Sequence, residues 1–165
     1  MWSNPGHVQR PVPVVKSLLL VYHSQSGACA RLARAAWRGT AEEAGIDARV
    51  RRAWDAGVDD LAASAGLLLV TAENSGALSG GTKDFLDRTF YPAIDRGLVM
   101  PYALLVSAGN DGRGAVRQAQ RILSGYPFVP AAEPLILRGE VTPEHERAAA
   151  ELGQAFAAGL AMGIF

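Results

Sequence analysis

Residues 67–88 read Leu-Leu-Leu-Val-Thr-Ala-Glu-Asn-Ser-Gly-Ala-Leu-Ser-Gly-Gly-Thr-Lys-Asp-Phe-Leu-Asp-Arg. The unbroken apolar run at 67–70 predicts a strand that is buried on both faces. Ser79 or Thr82 is a residue type that caps helices, and Phe85 and Leu86 follow it as the inner face of such a helix. The stretch therefore predicts a strand, a loop of small residues and a helix.

The small-residue loop has two interpretations. In open α/β sheets, ligands bind outside the carboxyl ends of the strands, where this loop lies. Glycine lets a backbone approach a flat ligand closely, and polar side chains supply hydrogen-bond partners for its edge. The residues in question are Gly76, Gly80 and Gly81, with Asn74 and Ser75 as the polar pair. An ordinary strand-to-helix connection is the alternative, and the loop alone does not decide between them.

The rest of the chain repeats this strand-and-helix alternation. Further strands are predicted at 17–22, 46–52, 102–107 and 134–137, and 46–52 alternates as an edge strand does. Helices are predicted from the first loop to about residue 44, over 56–65, over 116–123 and after Thr142. The third of these helices carries apolar residues at helical spacing, Val116, Ala119, Ile122 and Leu123, and the inward stripe of the last one is Ala148, Leu152, Phe156 and Leu160. Residues 90–100 are predicted as a connection. Five alternations predict a parallel sheet with helices on both faces.

Composition narrows the class of protein. A chain of 165 residues fits one domain, and 49% hydrophobic residues exclude a disordered chain. We expect an extended proline-containing arm at 1–15 and one domain at 16–165. Basic and acidic residues balance at 16 each, so no charge excess points to nucleic acid. One cysteine, no signal-peptide core and no membrane-length apolar run predict a cytoplasmic protein without a membrane span.

Three loops rich in small residues follow predicted strands one, three and four, and all should lie at one edge of the sheet. The first, with Ser24, Ser26 and Gly27, opens a helix. Amide groups and the helix dipole at such an N-terminus bind phosphate. No lysine or arginine lies in this loop, so it is not a nucleoside triphosphate loop and fits a phosphate monoester better. A simple helix cap by Ser26 is the alternative.

Four motifs together resemble the flavodoxin-like family, and most closely its NAD(P)H-dependent FMN reductase and quinone reductase branch. They are Tyr-His-Ser-Gln-Ser-Gly (22–27), Thr-Ala-Glu-Asn-Ser-Gly (71–76), Ser-Gly-Gly-Thr-Lys-Asp-Phe-Leu-Asp-Arg (79–88) and Ser-Ala-Gly-Asn-Asp-Gly (107–112). The resemblance implies a flavodoxin-like three-layer α/β sandwich with a five-stranded parallel sheet in order 2-1-3-4-5. It also implies FMN at the switch point of the sheet, and a homodimer.

The resemblance assigns the FMN-binding residues. The phosphate would be wrapped by Ser24, Gln25, Ser26, Gly27, Ala28 and Cys29. The isoalloxazine would be bordered by Glu73, Asn74, Ser75 and Gly76, and its other edge closed by Ser107, Gly109, Asn110 and Gly112. Family loops often carry hydroxyl or amide side chains at positions 28 and 29, proline at position 72 and an aromatic or larger residue at position 75. These departures predict a loosely held flavin.

By this resemblance, hydride passes from NAD(P)H through the flavin to a quinone, free flavin or similar acceptor, with no obligatory acid–base side chain and no metal. A one-electron flavodoxin carrier is a rival, although carriers are usually acidic around the flavin and this chain has no net charge. A flavodoxin fold with a degenerate flavin site is another, because of Ala28 and Ser75. A receiver domain is disfavoured, because His23 and Ser24 stand where its acidic cluster would be.

Several other residues have a structural and a functional interpretation. Cys29 is predicted to pack as a small loop residue, with a redox thiol as the alternative. His23 is predicted to make a structural hydrogen bond, with proton donation as the alternative. Phe90 and Tyr91 lie about 15 Å along their helix from the ligand edge, which predicts core or dimer contacts. Trp54 is predicted to be structural.

The charged residues are predicted to lie on the surface. Arg49, Arg51 and Arg52 belong to a solvated edge-strand face, although they are also candidates for the 2′-phosphate of NADPH. Lys83 with Asp87 and Asp84 with Arg88 are spaced as ion pairs one helical turn apart.

Overall fold

The structure, a computed structural model, describes Val12 and residues 14–165. The predicted arm lies largely outside the described residues. Within them, the elements run in the order β1 (Lys16–Tyr22), α1 (Ala28–Thr40), β2 (Ile46–Arg52), α2 (Val58–Ala62), β3 (Gly66–Asn74), β4 (Ala77–Leu78), α3 (Gly80–Asp95), β5 (Pro101–Ala108), α4 (Arg113–Gly125), β6 (Val129–Pro130), β7 (Leu135–Arg138) and α5 (Pro143–Met162).

The sheet has β2, β1, β3 and β5 side by side and parallel, as predicted. The fifth position is divided between two strands. β6 pairs with the start of β5, and β7 pairs with its end. The predicted order 2-1-3-4-5 is therefore confirmed, with β5 as the fourth strand and β7 as the main part of the fifth. The two-residue strands β4 and β6 were not predicted, because they are too short to show a periodic pattern.

Helices cover both faces of the sheet, which explains the continuous apolar strands. Successive side chains of a strand point to opposite faces. Leu18 and Leu20 of β1 join the core cluster under α1 and α5. Leu19 and Val21 join the cluster under α3 and α4. Each central strand therefore needs apolar residues at both its odd and its even positions.

Helices α1 and α5 cross at two glycines. A Cβ on Gly39 would lie 1.9 Å from the Ala150 carbonyl oxygen, and one on Gly153 would lie 2.0 Å from that of Ala36. This close approach widens the predicted inward stripe of α5, whose four residues all pack against the core cluster. Phe156 and Leu160 are buried as predicted, whereas Ala148 and Leu152 are only half-buried, and Ala149 and Gly153 hold the buried positions beside them.

Some predicted boundaries were wrong. α1 ends at Thr40, four residues early, and α2 spans Val58–Ala62 only. Helix α3 continues through Pro92 to Asp95, so the first half of the predicted 90–100 connection is helical. A proline inside a helix removes one backbone hydrogen bond. Buried Ala93 and the packing of Phe90 against the core offset that loss. No helix among the described residues is both long and apolar enough to cross a membrane.

Candidate functional site

The loop after β3 is a tight hairpin and not an open connection. Glu73 pairs with Leu78 and Asn74 with Ala77, so Ser75 and Gly76 form a two-residue turn. Both have positive φ, 50° and 75°, as in the turns that favour glycine and asparagine. The Leu78 N–H donates to Gln118 Oε1 at 2.8 Å, which ties this hairpin to α4. The turn packs against α4, because a Cβ on Gly114 would lie 2.0 Å from the Gly76 carbonyl oxygen. The expectation that Gly76 admits a flat ligand stays a prediction.

The carboxylate of Glu73 occupies the N-terminus of α4. It accepts hydrogen bonds from the N–H groups of Gly112 at 3.0 Å, Gly114 at 2.9 Å and Ala115 at 3.2 Å. These amides have no partner within their own helix, and a carboxylate there also interacts favourably with the helix dipole. Glu73 therefore joins β3 to α4, and its side chain is committed to the protein's own backbone.

The N-terminus of α1, in contrast, has no side-chain cap. Gly27 holds the cap position with φ 98°, so the alternative interpretation of Ser26 as the cap is wrong. The Gly27 N–H donates to Ser24 Oγ at 3.1 Å. In the part of the chain that the structure describes, no protein acceptor is found for the backbone N–H groups of residues 24–26 and 28–30. This end of α1 is therefore a cluster of unused donors.

An open cleft of about 760 Å³ lies at this edge of the sheet. Nine of the predicted residues line it: Ser24, Gln25, Ser26, Ala28, Cys29, Glu73, Asn74, Ser107 and Gly109. Five do not: Gly27, Ser75, Gly76, Asn110 and Gly112. Of these five, Ser75 and Gly76 form the hairpin turn, Gly27 and Gly112 cap helices with positive φ, and Asn110 is exposed. The cleft thus brings together the ends of β1, β3 and β5.

The sequence interpretation missed the loop after β7. Gly139, Glu140 and Val141 also line the cleft, and Gly139 has φ 79°. The signal was available, since the end of a fifth parallel strand must reach the same edge of the sheet. Arg31 was missed as well. It donates to the Val141 carbonyl at 3.1 Å and pairs with Glu146, so its charge is already engaged.

His23 belongs to a buried hydroxyl network. Its Nδ1 lies 3.1 Å from Ser79 Oγ, which in turn contacts Thr71 and Thr82 at 3.0 Å each. Burial lowers the pKa of His23 below its ordinary value. A Cβ on Gly81 would lie 2.1 Å from the imidazole, so that glycine makes room for His23 and not for a ligand. The structural interpretation of His23 is confirmed.

Cys29 is buried, with 1% of its surface exposed. Burial raises the pKa of its thiol to about 12, although a hydrogen bond with the Ser107 backbone acts in the opposite direction. Reactive thiols are instead exposed and have lowered pKa values. Cys29 therefore packs at the floor of the cleft as a neutral thiol, as the packing interpretation predicts.

No Phe, Trp or Tyr lines the cleft in the described chain. Phe90 packs edge-on against Tyr91 and Tyr126, with ring centroids 5.3 and 5.2 Å apart. Trp54 is 59% exposed and packs edge-on against His23 with the centroids 5.6 Å apart. A flat ligand in the cleft would thus have no aromatic ring among these lining residues to stack on.

The predicted surface ion pairs are present on α3. Lys83 pairs with Asp87, and Arg88 pairs with Asp84, each at 2.7 Å. Arg88 also donates to the carbonyls of Ala53 and Ala56, so it links α3 to the segment after β2.

Comparison with known proteins supports the fold. The chain is similar to a flavodoxin from the domain Archaea, with a TM-score of 0.77 and 18% identity over 87% of this chain and 98% of the other. It is similar to a WrbA-like flavodoxin from Agrobacterium tumefaciens, with a TM-score of 0.75 and 15% identity over 89% and 98%. A rubredoxin oxygen:oxidoreductase from Desulfovibrio gigas gives 0.77 and 12% over 92% of this chain and 37% of that longer protein.

No protein-family model matches the sequence, and no curated protein matches it either. The identities to solved structures are low, so these likenesses define the architecture alone. The chain has the flavodoxin-like fold, a parallel α/β sheet flanked by helices, with its cleft at the carboxyl ends of the strands.

Proposed function

We propose that this chain is a flavin-dependent oxidoreductase that binds FMN in the cleft. It would pass hydride from NAD(P)H to a quinone, a free flavin or a similar acceptor. The observation that carries the proposal is the uncapped N-terminus of α1, whose unused amides lie at the cleft. A homodimer is also part of the proposal, and light scattering of the purified protein tests it.

The residues present fit the phosphate of FMN. Backbone amides and the positive end of a helix dipole bind phosphate without a basic side chain. The hydroxyls of Ser24 and Ser26 lie in the same loop and add hydrogen-bonding capacity. Arg31 is held by Glu146 and Val141, so the amides and not a free guanidinium would hold the phosphate. The cleft volume of about 760 Å³ lies within the range of roughly 300–1,000 Å³ for ligand sites.

The opposite end of the cleft fits the ring. Asn74, Ser107 and Gly109 offer amide, hydroxyl and backbone groups to its edges. The Glu73 carboxylate accepts hydrogen bonds from three amides of α4, so its negative charge is stabilised by that helix start. Bound FMN would supply the two-electron chemistry, and the chain would supply binding and orientation. No aromatic side chain of the described residues lines the cleft, so a ring face without a stacking partner would be accessible to nicotinamide and acceptor.

The charge around the cleft favours a reductase over an electron carrier. Its charged lining residues are Arg31, Glu73 and Glu140, and the whole chain has no net charge. A carrier that steers protein partners needs a field of one sign around its flavin. A small-molecule acceptor requires no such field.

Anaerobic absorbance spectroscopy tests the proposal. The protein is mixed with FMN, separated from unbound flavin, and then treated with NADPH or NADH. Bleaching of the bound flavin by pyridine nucleotide supports the reductase. Bound flavin that only dithionite reduces indicates the carrier, and protein that retains no flavin indicates a degenerate site. The double substitution Ser24→Ala and Ser26→Ala should weaken retention, whereas Ser124→Ala on α4 is the matched control.

A further inference from the structure

Glu140 lies at the border of the cleft, in the loop that follows β7. The other two charged side chains that line the cleft are engaged. Arg31 pairs with Glu146, and the Glu73 carboxylate accepts three amides of α4. In the described part of the chain, the Glu140 carboxylate makes neither an ion pair nor a hydrogen bond. Its negative charge is therefore left to act on a molecule that occupies the cleft.

The backbone on both sides of Glu140 is fixed. The Gly139 N–H donates to the Ala108 carbonyl at 2.9 Å, which extends the pairing of β7 with β5 by one bond. The Val141 carbonyl accepts a hydrogen bond from the Arg31 guanidinium at 3.1 Å. The two neighbours of Glu140 in sequence are thus anchored to β5 and to α1, and they hold this residue at the cleft.

The bond from Arg31 also relates Glu140 to the phosphate site. Arg31 belongs to the first turn of α1, because its N–H donates to the Gly27 carbonyl at 3.0 Å. The unused amides that we assign to the FMN phosphate lie in this turn and in the loop before it. The side chain of Arg31 reaches from the same turn to the residue next to Glu140. Such a reach separates the carboxylate from the phosphate end by about 8–10 Å, an arginine side chain and one contact.

We propose that Glu140 weakens the hold of the cleft on the FMN phosphate, an inference that rests on the proposed function. A phosphate monoester carries up to about two negative charges at neutral pH, so a carboxylate repels it. At a separation of about 8–10 Å in water, this repulsion weakens binding about fourfold to sixfold at low ionic strength. Riboflavin has the same ring and no phosphate, and the repulsion does not act on it. Glu140 is thus a specificity-determining residue that reduces the preference of the site for FMN over riboflavin.

Titration of the full-length chain with FMN and with riboflavin, followed by quenching of flavin fluorescence, tests this role. At low ionic strength, Glu140→Gln should bind FMN about fourfold to sixfold more tightly than the wild type and riboflavin equally well. In about 0.5 M salt the gain should fall below about twofold, because the Debye length is then only a few ångströms. Glu140→Asp keeps the charge and should bind FMN as the wild type does.

Glu133→Gln is the matched control for the change in net charge. Glu133 is exposed, lies two residues before β7 and does not line the cleft. Its substitution removes the same charge at the other end of that strand. It should leave both dissociation constants unchanged, and an equal gain in Glu133→Gln would refute a local effect of Glu140.

The outcomes separate this inference from the proposed function. If the wild type and Glu140→Gln bind FMN equally, or if the substitution changes FMN and riboflavin binding by the same factor, the role of Glu140 is refuted and the FMN site stands. If only Glu140→Gln binds FMN, the role of Glu140 is supported and the proposed function fails for the native chain. If neither binds FMN at high micromolar concentration, both proposals fail. Equal melting temperatures confirm that the variants fold.

Discussion

The Glu73→Gln substitution tests the hydrogen bonds that join β3 to α4 beside the cleft. Glu73 ends β3 at the cleft, and its carboxylate accepts three N–H groups at the start of α4. Glutamine keeps the shape of the side chain but removes the charge. It also replaces one acceptor oxygen by an NH₂ group that faces backbone donors. The substitution therefore leaves at least one α4 amide without a partner.

The expected cost is about 2–3 kcal/mol of unfolding free energy. Hydrogen bonds to a charged group contribute about 1.5–3 kcal/mol, and a charge at a helix N-terminus adds about 0.3–1 kcal/mol. The expected cost is smaller than the sum of the two upper limits, because Glu73 is partly exposed and glutamine retains some of the hydrogen bonds. For a chain of this size, each kcal/mol lowers the melting temperature by about 2–4 °C, so a decrease of roughly 5–10 °C follows.

Urea denaturation followed by circular dichroism measures this cost. Glu133→Gln is the matched control, because Glu133 is exposed and accepts no hydrogen bond among the described residues. The control should stay within about 0.5 kcal/mol of the wild type. If Glu73→Gln also stays within about 0.5 kcal/mol of the wild type, the reasoning is refuted. That result would mean that water satisfies the α4 amides equally well.

Three further predictions follow from burial and close packing. Cys29 should resist a thiol reagent at about pH 8 in the native protein and react at once in urea, because burial raises its pKa to about 12. Gly39→Ala should cost about 1–3 kcal/mol or more in urea denaturation, because its Cβ would lie 1.9 Å from the Ala150 carbonyl oxygen. The free energy of unfolding of the wild type should decrease as pH falls from about 7 to 5. Burial lowers the pKa of His23 in the folded chain, so the unfolded chain takes up a proton on this histidine at a higher pH than the folded chain does. His23→Gln should flatten this slope.

Each of these predictions has its own control. Fast labelling of native Cys29 would show that the floor of the cleft opens to solvent. Gly80→Ala should be tolerated, since nothing lies within 4 Å of its Cβ, and equal effects at Gly39 and Gly80 would contradict the close crossing of α1 and α5. An identical pH slope in wild type and His23→Gln would assign the acid sensitivity to other groups.

The sheet could be predicted because its strands are buried on both faces. Residues 67–70 and 18–21 are apolar without interruption, and between helical segments that pattern predicts a strand buried on both faces. Helix ends were less predictable. The Gly39 and Gly153 crossing depends on two segments that meet only in the fold, so no local pattern in α5 reveals it.

Most residues at the centre of the cleft were predicted from the sequence, whereas those at its border were missed. Residues that follow the strands directly, such as Ser24 and Ser107, line it as their position requires. Ser75 and Gly76 were assigned to a loop, but positive φ at both makes a hairpin turn that packs on α4. Glu73 looked like a ligand contact, and its carboxylate instead binds a helix start that lies 39 to 42 residues away. Long-range partners of this kind leave no spacing signal.

Comparison of FMN with riboflavin binding tests the central claim most directly. The two molecules share the ring and differ in the phosphate, which we place on the uncapped N-terminus of α1. Quenching of flavin fluorescence on titration with protein gives both dissociation constants. We predict saturable FMN binding that is at least about tenfold tighter than that of riboflavin, since a phosphate at a helix N-terminus adds charge-assisted hydrogen bonds. Equal affinities, or no FMN binding at high micromolar protein, would contradict the account.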